Sequence, residues 1–99
     1  MAWAFRGNTS ASVTSSIYGL PMYCDSFTLV NKTAGTIGVN VYLIGGDLSQ
    51  TCLMPLNQQL SASEMYQGDN QIVVLATEAI KVQVSGSTDY NFVMNNINP

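Results

Sequence analysis

Histidine is absent from this chain, and only three basic and six acidic residues are spread over its 99 positions. Without histidine, the commonest general base, the Ser-His and Cys-His nucleophile pairs and the usual zinc ligand sets are excluded. With Arg6, Lys32 and Lys81 as the only cations, there is no electrostatic footprint for a phosphate backbone, so nucleic acid is not an expected partner. No unbroken apolar run is longer than that from Ile72 to Ala76, which is far too short to span a bilayer. Met1 to Arg6 lacks the basic-then-apolar order of a signal peptide, so neither membrane insertion nor secretory export is indicated. Glycine-rich phosphate loops and internal repeats are also missing.

What is present is apolar and amide-rich. The hydrophobic fraction of 46% is ordinary, whereas the charged fraction of 9% is far below the ~25% of typical domains. Ser, Thr, Asn and Gln must cover the surface, which leaves little repulsion against close neighbours and suits permanent packing between subunits. The length fits one domain able to bury a core without metals. Cys24 and Cys52 fall on different expected strands, and without a signal peptide they read as buried thiols rather than a disulfide.

Periodicity sets the class. From Gln71 to Val84 two β-rich runs are separated by three residues. Ile72 to Ala76 is apolar on both faces, as in a covered central strand, while Ile80, Val82 and Val84 alternate with Lys81 and Gln83. Upstream, Met22 to Val30 reads as a strand, Asn31 to Gly35 as a turn, and Thr36 to Ile44 as a strand with Ile37, Val39, Val41 and Leu43 on one face. These two are expected to form a hairpin. Thr51 to Met54 is a short strand that Pro55 stops. Ser61-Ala62-Ser63-Glu64 matches a helix-start pattern but leaves no room for a helix, so Leu60 to Gln67 reads as a further short strand or crossing. Gly68-Asp69-Asn70 and Ser85 to Thr88 are turns, and Asp89 to Met94 closes the chain with Tyr90, Phe92 and Met94 on one face. The expectation is all-β: a small antiparallel β-sandwich or jelly-roll-like barrel of about seven strands over residues 22–99.

Residues 1–21 stand apart as an extended N-terminal arm, with Trp3 and Phe5 ahead of a polar run. Two readings stand: a frayed terminus, or an arm whose aromatics anchor it on a partner. Arg6 belongs to the same arm, and Tyr42, turned away from the Ile37 to Leu43 stripe, is the best outward aromatic for a partner or a stacked sugar. Catalytic chemistry has only Asp25, Asp47, Glu64, Asp69, Glu78 and Asp89 to draw on. Asp47, Asp69, Glu78 and Asp89 sit in or beside turns, where carboxylates bond backbone amides. Asp47 and Asp69-Asn70 lack the spacing of a calcium loop. Asn8-Thr9-Ser10 and Asn31-Lys32-Thr33 match the glycosylation triplet. No enzyme activity and no cofactor is expected.

The runs FTLVNKTAGTIGVNVYLI (Phe27 to Ile44), LMPLNQQLSASEMY (Leu53 to Tyr66) and LATEAIKVQVSGSTDYNFVM (Leu75 to Met94) resemble small virion proteins of tailed bacteriophages. The shared layout is an Asn-x-Thr turn at Asn31 and Thr33, an apolar alternation through Val39, Val41, Tyr42 and Leu43, a mid-chain proline at Pro55, and the Ile80 to Ser85 strand. At Thr77-Glu78-Ala79 the chain departs from the group's usual tight turn, so a bend or bulge is expected there. The resemblance implies a noncatalytic β-sandwich building block of the virion, assembled in the host cytoplasm. Such a block is a head decoration or auxiliary capsid protein, or a tail, collar or fibre component. Its implied partners are further copies of itself, in a homo-oligomer such as a trimer, and the major capsid or tail proteins, with Trp3, Phe5, Arg6 and Tyr42 as contact residues. A glycan-binding surface module is the alternative.

Overall fold

The period-2 alternation read from the sequence is realised as strands throughout a computed structural model, which describes residues 2–69 and 71–97. Met1, Asn70, Asn98 and Pro99 lie outside the described residues, so the expected Gly68-Asp69-Asn70 turn is seen only in part. Eleven strands follow one another: β1 (Ala2–Thr9), β2 (Ser12–Thr14), β3 (Met22–Cys24), β4 (Phe27–Asn31), β5 (Ile37–Ile44), β6 (Gln50–Cys52), β7 (Gln58–Leu60), β8 (Met65–Gly68), β9 (Ile72–Val74), β10 (Ala79–Val84) and β11 (Thr88–Asn96).

Three pairs of short strands act as one. β3 and β4 both pair with β11, and β9 and β8 extend them on the far side. Likewise β6 and β7 both pair with β5. The β3/β4 and β8/β9 breaks are bulges, with the register shifted by one residue across Asp25 and Ser26, where Asp25 Oδ1 accepts from Gln71 Nε2 at 3.0 Å, whereas residues 53–57 loop out between β6 and β7. Merging them leaves two four-stranded antiparallel sheets. One runs β1, β11, β3/β4, β8/β9; the other runs β2, β10, β5, β6/β7. The chain changes sheet at every connection except β5 to β6/β7. This is the eight-stranded jelly roll.

The two sheets bury one apolar layer between them. The first contributes Met22, Cys24, Phe27, Leu29, Ile72, Val74, Tyr90, Phe92 and Met94, and the second Ile37, Val39, Val41, Leu60, Ile80, Val82 and Val84. One cross-strand row organises the first sheet: Phe5 lies opposite Phe92, Phe92 opposite Phe27, and Phe27 opposite Gly68. The Phe27 and Phe92 rings stack at 4.8 Å and 12°, and Phe5 leans on Phe92 at 5.6 Å and on Tyr90 at 4.8 Å. The row ends in glycine because the Phe27 ring fills that space: a Cβ on Gly68 would sit 2.3 Å from it.

Several expectations change here. The segments 22–30 and 36–44 do not form a hairpin: β4 and β5 lie in different sheets, and the five-residue link crosses between them. The gap between packed sheets is only ~10 Å, which five residues span easily. The two runs of Gln71 to Val84 are likewise not a pair. β9 is an edge segment whose Val73 faces solvent, not a covered central strand. Thr77 and Glu78 turn the chain from one sheet to the other, with Leu75 N donating to Glu78 Oε1 at 2.8 Å and Glu78 N to the Leu75 carbonyl at 3.0 Å. The Ser61 to Glu64 crossing closes in the same way, Ser61 N donating to Glu64 Oε1 at 2.8 Å. It uses the carboxylate-to-amide half of a helix cap without a helix.

The N-terminal segment is extended but not free. β1 pairs with β11 from Ala2 opposite Asn95 to Thr9 opposite Thr88, and β2 pairs with β10. Partial burial of Phe5 contributes part of the about 1.5–3 kcal/mol of a fully buried side chain, with further aromatic contacts of ~0.5–1.5 kcal/mol each. We therefore expect removal of residues 1–9 to abolish cooperative unfolding, and Phe5→Ala to cost about 2–3 kcal/mol in urea denaturation. A truncated chain that still unfolds in one sharp transition would show that β1 is dispensable to the fold.

Candidate functional site

The four residues singled out for partner contact do not converge. On β1, Trp3 and Phe5 point inward while Arg6 points outward, as alternation requires. Phe5 is partly buried against Tyr90 and Phe92 of its own sandwich. Arg6 lies on the outer face of the first sheet, in register with Asn91 and Thr28. Tyr42 lies on the outer face of the second sheet, between Lys81 and Cys52.

Trp3 does mark a site. It stands at the end of the sandwich, 39% exposed, its ring 6.3 Å from that of Tyr18. Between β1 and the segment after β2 the chain leaves a slot of about 290 Å³ lined by Trp3, Ala4, Phe5, Ser16, Ile17 and Tyr18. The segment is held in place by Ser15, whose Oγ accepts from Ile80 N at 2.9 Å. Gly19 N donates to the Ala76 carbonyl at 3.2 Å, and Ile97 N to the Pro21 carbonyl at 3.2 Å. Burial holds the Tyr18 hydroxyl above its ordinary pKa, partly offset by its hydrogen bond with Ser15.

The two ends of the sandwich differ in chemistry. The end that carries the slot gathers the β2–β3, β5–β6 and β9–β10 connections, the start of β1 and the close of β11. Here Trp3, Ile17, Leu20, Leu48, Leu75 and Ile97 are all exposed. The opposite end carries the β1–β2, β4–β5, β7–β8 and β10–β11 connections, built of Ser, Thr, Gly and Ala with Lys32 and Glu64, and Met65 at the start of β8 is its one exposed large hydrophobic among the described residues. Sequence reasoning found Trp3 but missed Ile17, Leu48 and Leu75. Leu48 carried a signal, as a large apolar residue inside the Gly45 to Ser49 turn.

At the polar end a buried asparagine ties two connections together, β4–β5 and β7–β8. Asn31 Nδ2 donates to the carbonyls of Gly35 (2.7 Å), Leu60 (3.0 Å) and Ser61 (2.9 Å), and its Oδ1 accepts from Thr33 N (2.8 Å) and Thr33 Oγ1 (2.7 Å). The Asn31-Lys32-Thr33 triplet is therefore a structural clamp. The only salt bridge among the described residues, Lys32 to Asp89 at 3.6 Å, lies near it on the surface and contributes little.

The carboxylates are dispersed. Glu64 and Glu78 close sheet crossings, Asp25 meets Gln71, and Asp89 accepts from Asn8 Nδ2 at 2.9 Å. Ser49, through its hydroxyl and its amide, holds the Asp47 carboxyl below its usual range. No three His, Cys, Asp or Glu side chains gather to hold a metal among the described residues. Both cysteines are free. Cys24 is buried as expected, its thiol pushed up by burial while it donates to the Ser26 carbonyl at 3.0 Å, but Cys52 is exposed because it falls on the outer face of β6.

A second concavity, about 250 Å³, crosses the outer face of the second sheet at Tyr42 and is lined by Gly38, Asn40, Asn57, Gln83, Val84 and Ser85. Asn57 N donates to Asn40 Oδ1 at 2.8 Å across it.

No protein-family model and no curated protein sequence matches the chain. Solved structures do match it. The fold is similar to that of the Drosophila NLP core, a structure that gives insight into pentamer formation and histone binding. The TM-score is 0.62 at 13% identity, covering 94% of this chain and 98% of that one. Subunits of infectious bursal disease virus particles align less well. For the derived T=1 particle the TM-score is 0.48 at 10% identity, over 95% of this chain but only 30% of the viral chain. For the T13 particle it is 0.46 at 13% identity, with 24% of the viral chain covered. The first match shows a shared fold over the whole length of both chains; the viral alignments are too slight to carry an argument.

The clamp generates a test. Asn31→Ala removes the donor shared by three carbonyls and the acceptor for Thr33, and should cost about 2–4 kcal/mol. Asn31→Asp, which turns an oxygen toward those carbonyls, should cost at least as much, whereas Lys32→Ala should change stability by less than about 0.5 kcal/mol. Urea denaturation of the three variants checks the order.

Proposed function

We propose that this chain is a noncatalytic structural subunit that works by packing against copies of itself. Its setting is the virion of a tailed bacteriophage, where it serves as a head decoration or auxiliary capsid protein. One observation carries the packing part: a charge-poor jelly roll with six large hydrophobics exposed at one end, against Met65 alone at the other. Exposed apolar surface concentrated in one place costs free energy in water and is relieved by burial against a neighbour. The pentamer-forming NLP core, matched over its full length, supports assembly of this fold around an axis. Its histone binding is not carried over, because at 13% identity the match supports the fold alone. The phage setting rests on the resemblance of Phe27 to Met94, and a place in the tail, collar or fibre is the other location it allows.

Quantitative mass spectrometry of purified particles tests the setting. Hundreds of copies per particle are expected of a head protein, and a few to a dozen of a tail, neck or fibre component. Absence from particles would overturn the virion reading.

The groove beside Tyr42 favours a second reading, a glycan-binding surface, since a half-buried aromatic flanked by Asn40, Asn57 and Gln83 offers stacking and amide hydrogen bonds together. Here we expect binding on a glycan array that falls at least tenfold in Tyr42→Ala. An array without signal for the wild-type protein would dispose of it.

A further inference from the structure

Leu48 is the most exposed large hydrophobic among the described residues, at 80%. It also sits at φ 67°, in the left-handed region that Gly or Asn occupies at lower cost. The turn fixes it there: Leu48 N donates to the Gly45 carbonyl at 2.9 Å, Gly45 N to the Ser49 carbonyl at 2.9 Å, and Ser49 N to Asp47 Oδ1 at 3.1 Å. A leucine is thus held away from the body of the protein on a braced support, with both its backbone conformation and its solvation unfavourable in a single copy.

The slot beside Trp3 is its counterpart. An apolar cavity of ~150 Å³ accepts benzene, so about 290 Å³ is ample for a leucine side chain. Its rim is uncharged, and Ile17, 62% exposed, flanks the opening. Topology puts the two features at the same end but on opposite flanks. The slot lies at β1 and β2, the first edges of the two sheets, and Leu48 lies in the turn before β6, on the far edge. A subunit therefore cannot fill its own slot, and two copies side by side present knob to slot.

We propose that Leu48 of one copy inserts into the Trp3, Ile17, Tyr18 slot of the next, a head-to-tail contact that repeats around an axis. This rests on the self-assembly reading above and names the surface that carries it. The same contact is used once on each flank, so it is heterologous, and a suitable rotation closes it into a ring.

The test uses the whole chain. Leu48→Asn removes the knob while easing the backbone at that position, so it should fold at least as well as wild type. Ile17→Asp places a charge at the mouth of the slot, at a position already in solvent. Each is expected to weaken self-association about 10- to 100-fold by sedimentation or light scattering. Trp3 is the only tryptophan, so its fluorescence should shift to the blue on wild-type association and stay unshifted in both variants. Mixing the two variants leaves one intact knob and one intact slot, and a 1:1 heterodimer that grows no further is expected. If wild type assembles and both variants assemble equally well, the contact proposed here is wrong and the assembly reading survives. Variants that fail alone and stay monomeric when mixed overturn the head-to-tail geometry. A wild-type chain that is monomeric at every concentration overturns both.

Discussion

The row Phe5, Phe92, Phe27, Gly68 holds the first sheet together. It crosses four strands that are far apart in sequence, and each ring rests on the next, so the register of any strand is fixed by the others. A one-residue slip of β1 or β11 would send its aromatics to the solvent face and bring polar neighbours inward. Gly68 completes the row by leaving its space open, and Gly7 does the same beside Tyr90, where a Cβ would lie 3.1 Å from the phenol oxygen. Large rings in the middle and bare backbone at the rims allow four strands to present a smooth inner surface. The valine-rich and isoleucine-rich face of β5 and β10 can then close against it.

With the layer between the sheets filled, the differences between the two ends of the sandwich become the main variable. At one end the connections are stitched by Asn31 and closed by the Glu64 carboxylate, with small hydroxylated side chains outside. At the other, connections of similar length carry isoleucine, leucine and tryptophan to the surface. The Glu78 turn belongs to this second end and is braced as firmly as its counterpart, so the apolar residues there are displayed by fixed backbone. A rigid display of apolar side chains loses little conformational freedom on association.

Much of this was legible in the sequence, and the parts that were not have a common cause. Alternation at Ile37 to Leu43 and Ile80 to Val84 identified both strands and their buried faces, because a period of two reports on the strand itself. Strand pairing depends on where the connection goes. The loop after Asn31 looks like a hairpin turn, yet the buried amide of Asn31 holds the Gly35 carbonyl and directs the chain across the end of the sandwich. The N-terminal segment was read as an arm because Gly7 and the polar run from Asn8 obscured the alternation of Trp3, Ala4, Phe5 and Arg6. Partner strand β11 lies almost ninety residues away in sequence, and no local pattern could point to it. The site fared similarly: Trp3 was visible as an aromatic out of place, but the slot beside it exists only because Ile17 and Tyr18 are brought there by pairing between β2 and β10.

The buried clamp at Asn31 also bears on how the protein can be made. Asn31-Lys32-Thr33 is an acceptor sequence for oligosaccharide in compartments that modify chains as they emerge, before folding hides them. A glycan on Asn31 would occupy the nitrogen that now bonds three carbonyls and could not fit in the closed core. Asn8, exposed on β1, would tolerate the same modification outside the fold. Passage through a glycosylating secretory route therefore poisons folding at one triplet and merely decorates the other, whereas synthesis in a cytoplasm without that chemistry leaves both asparagines free to serve the structure.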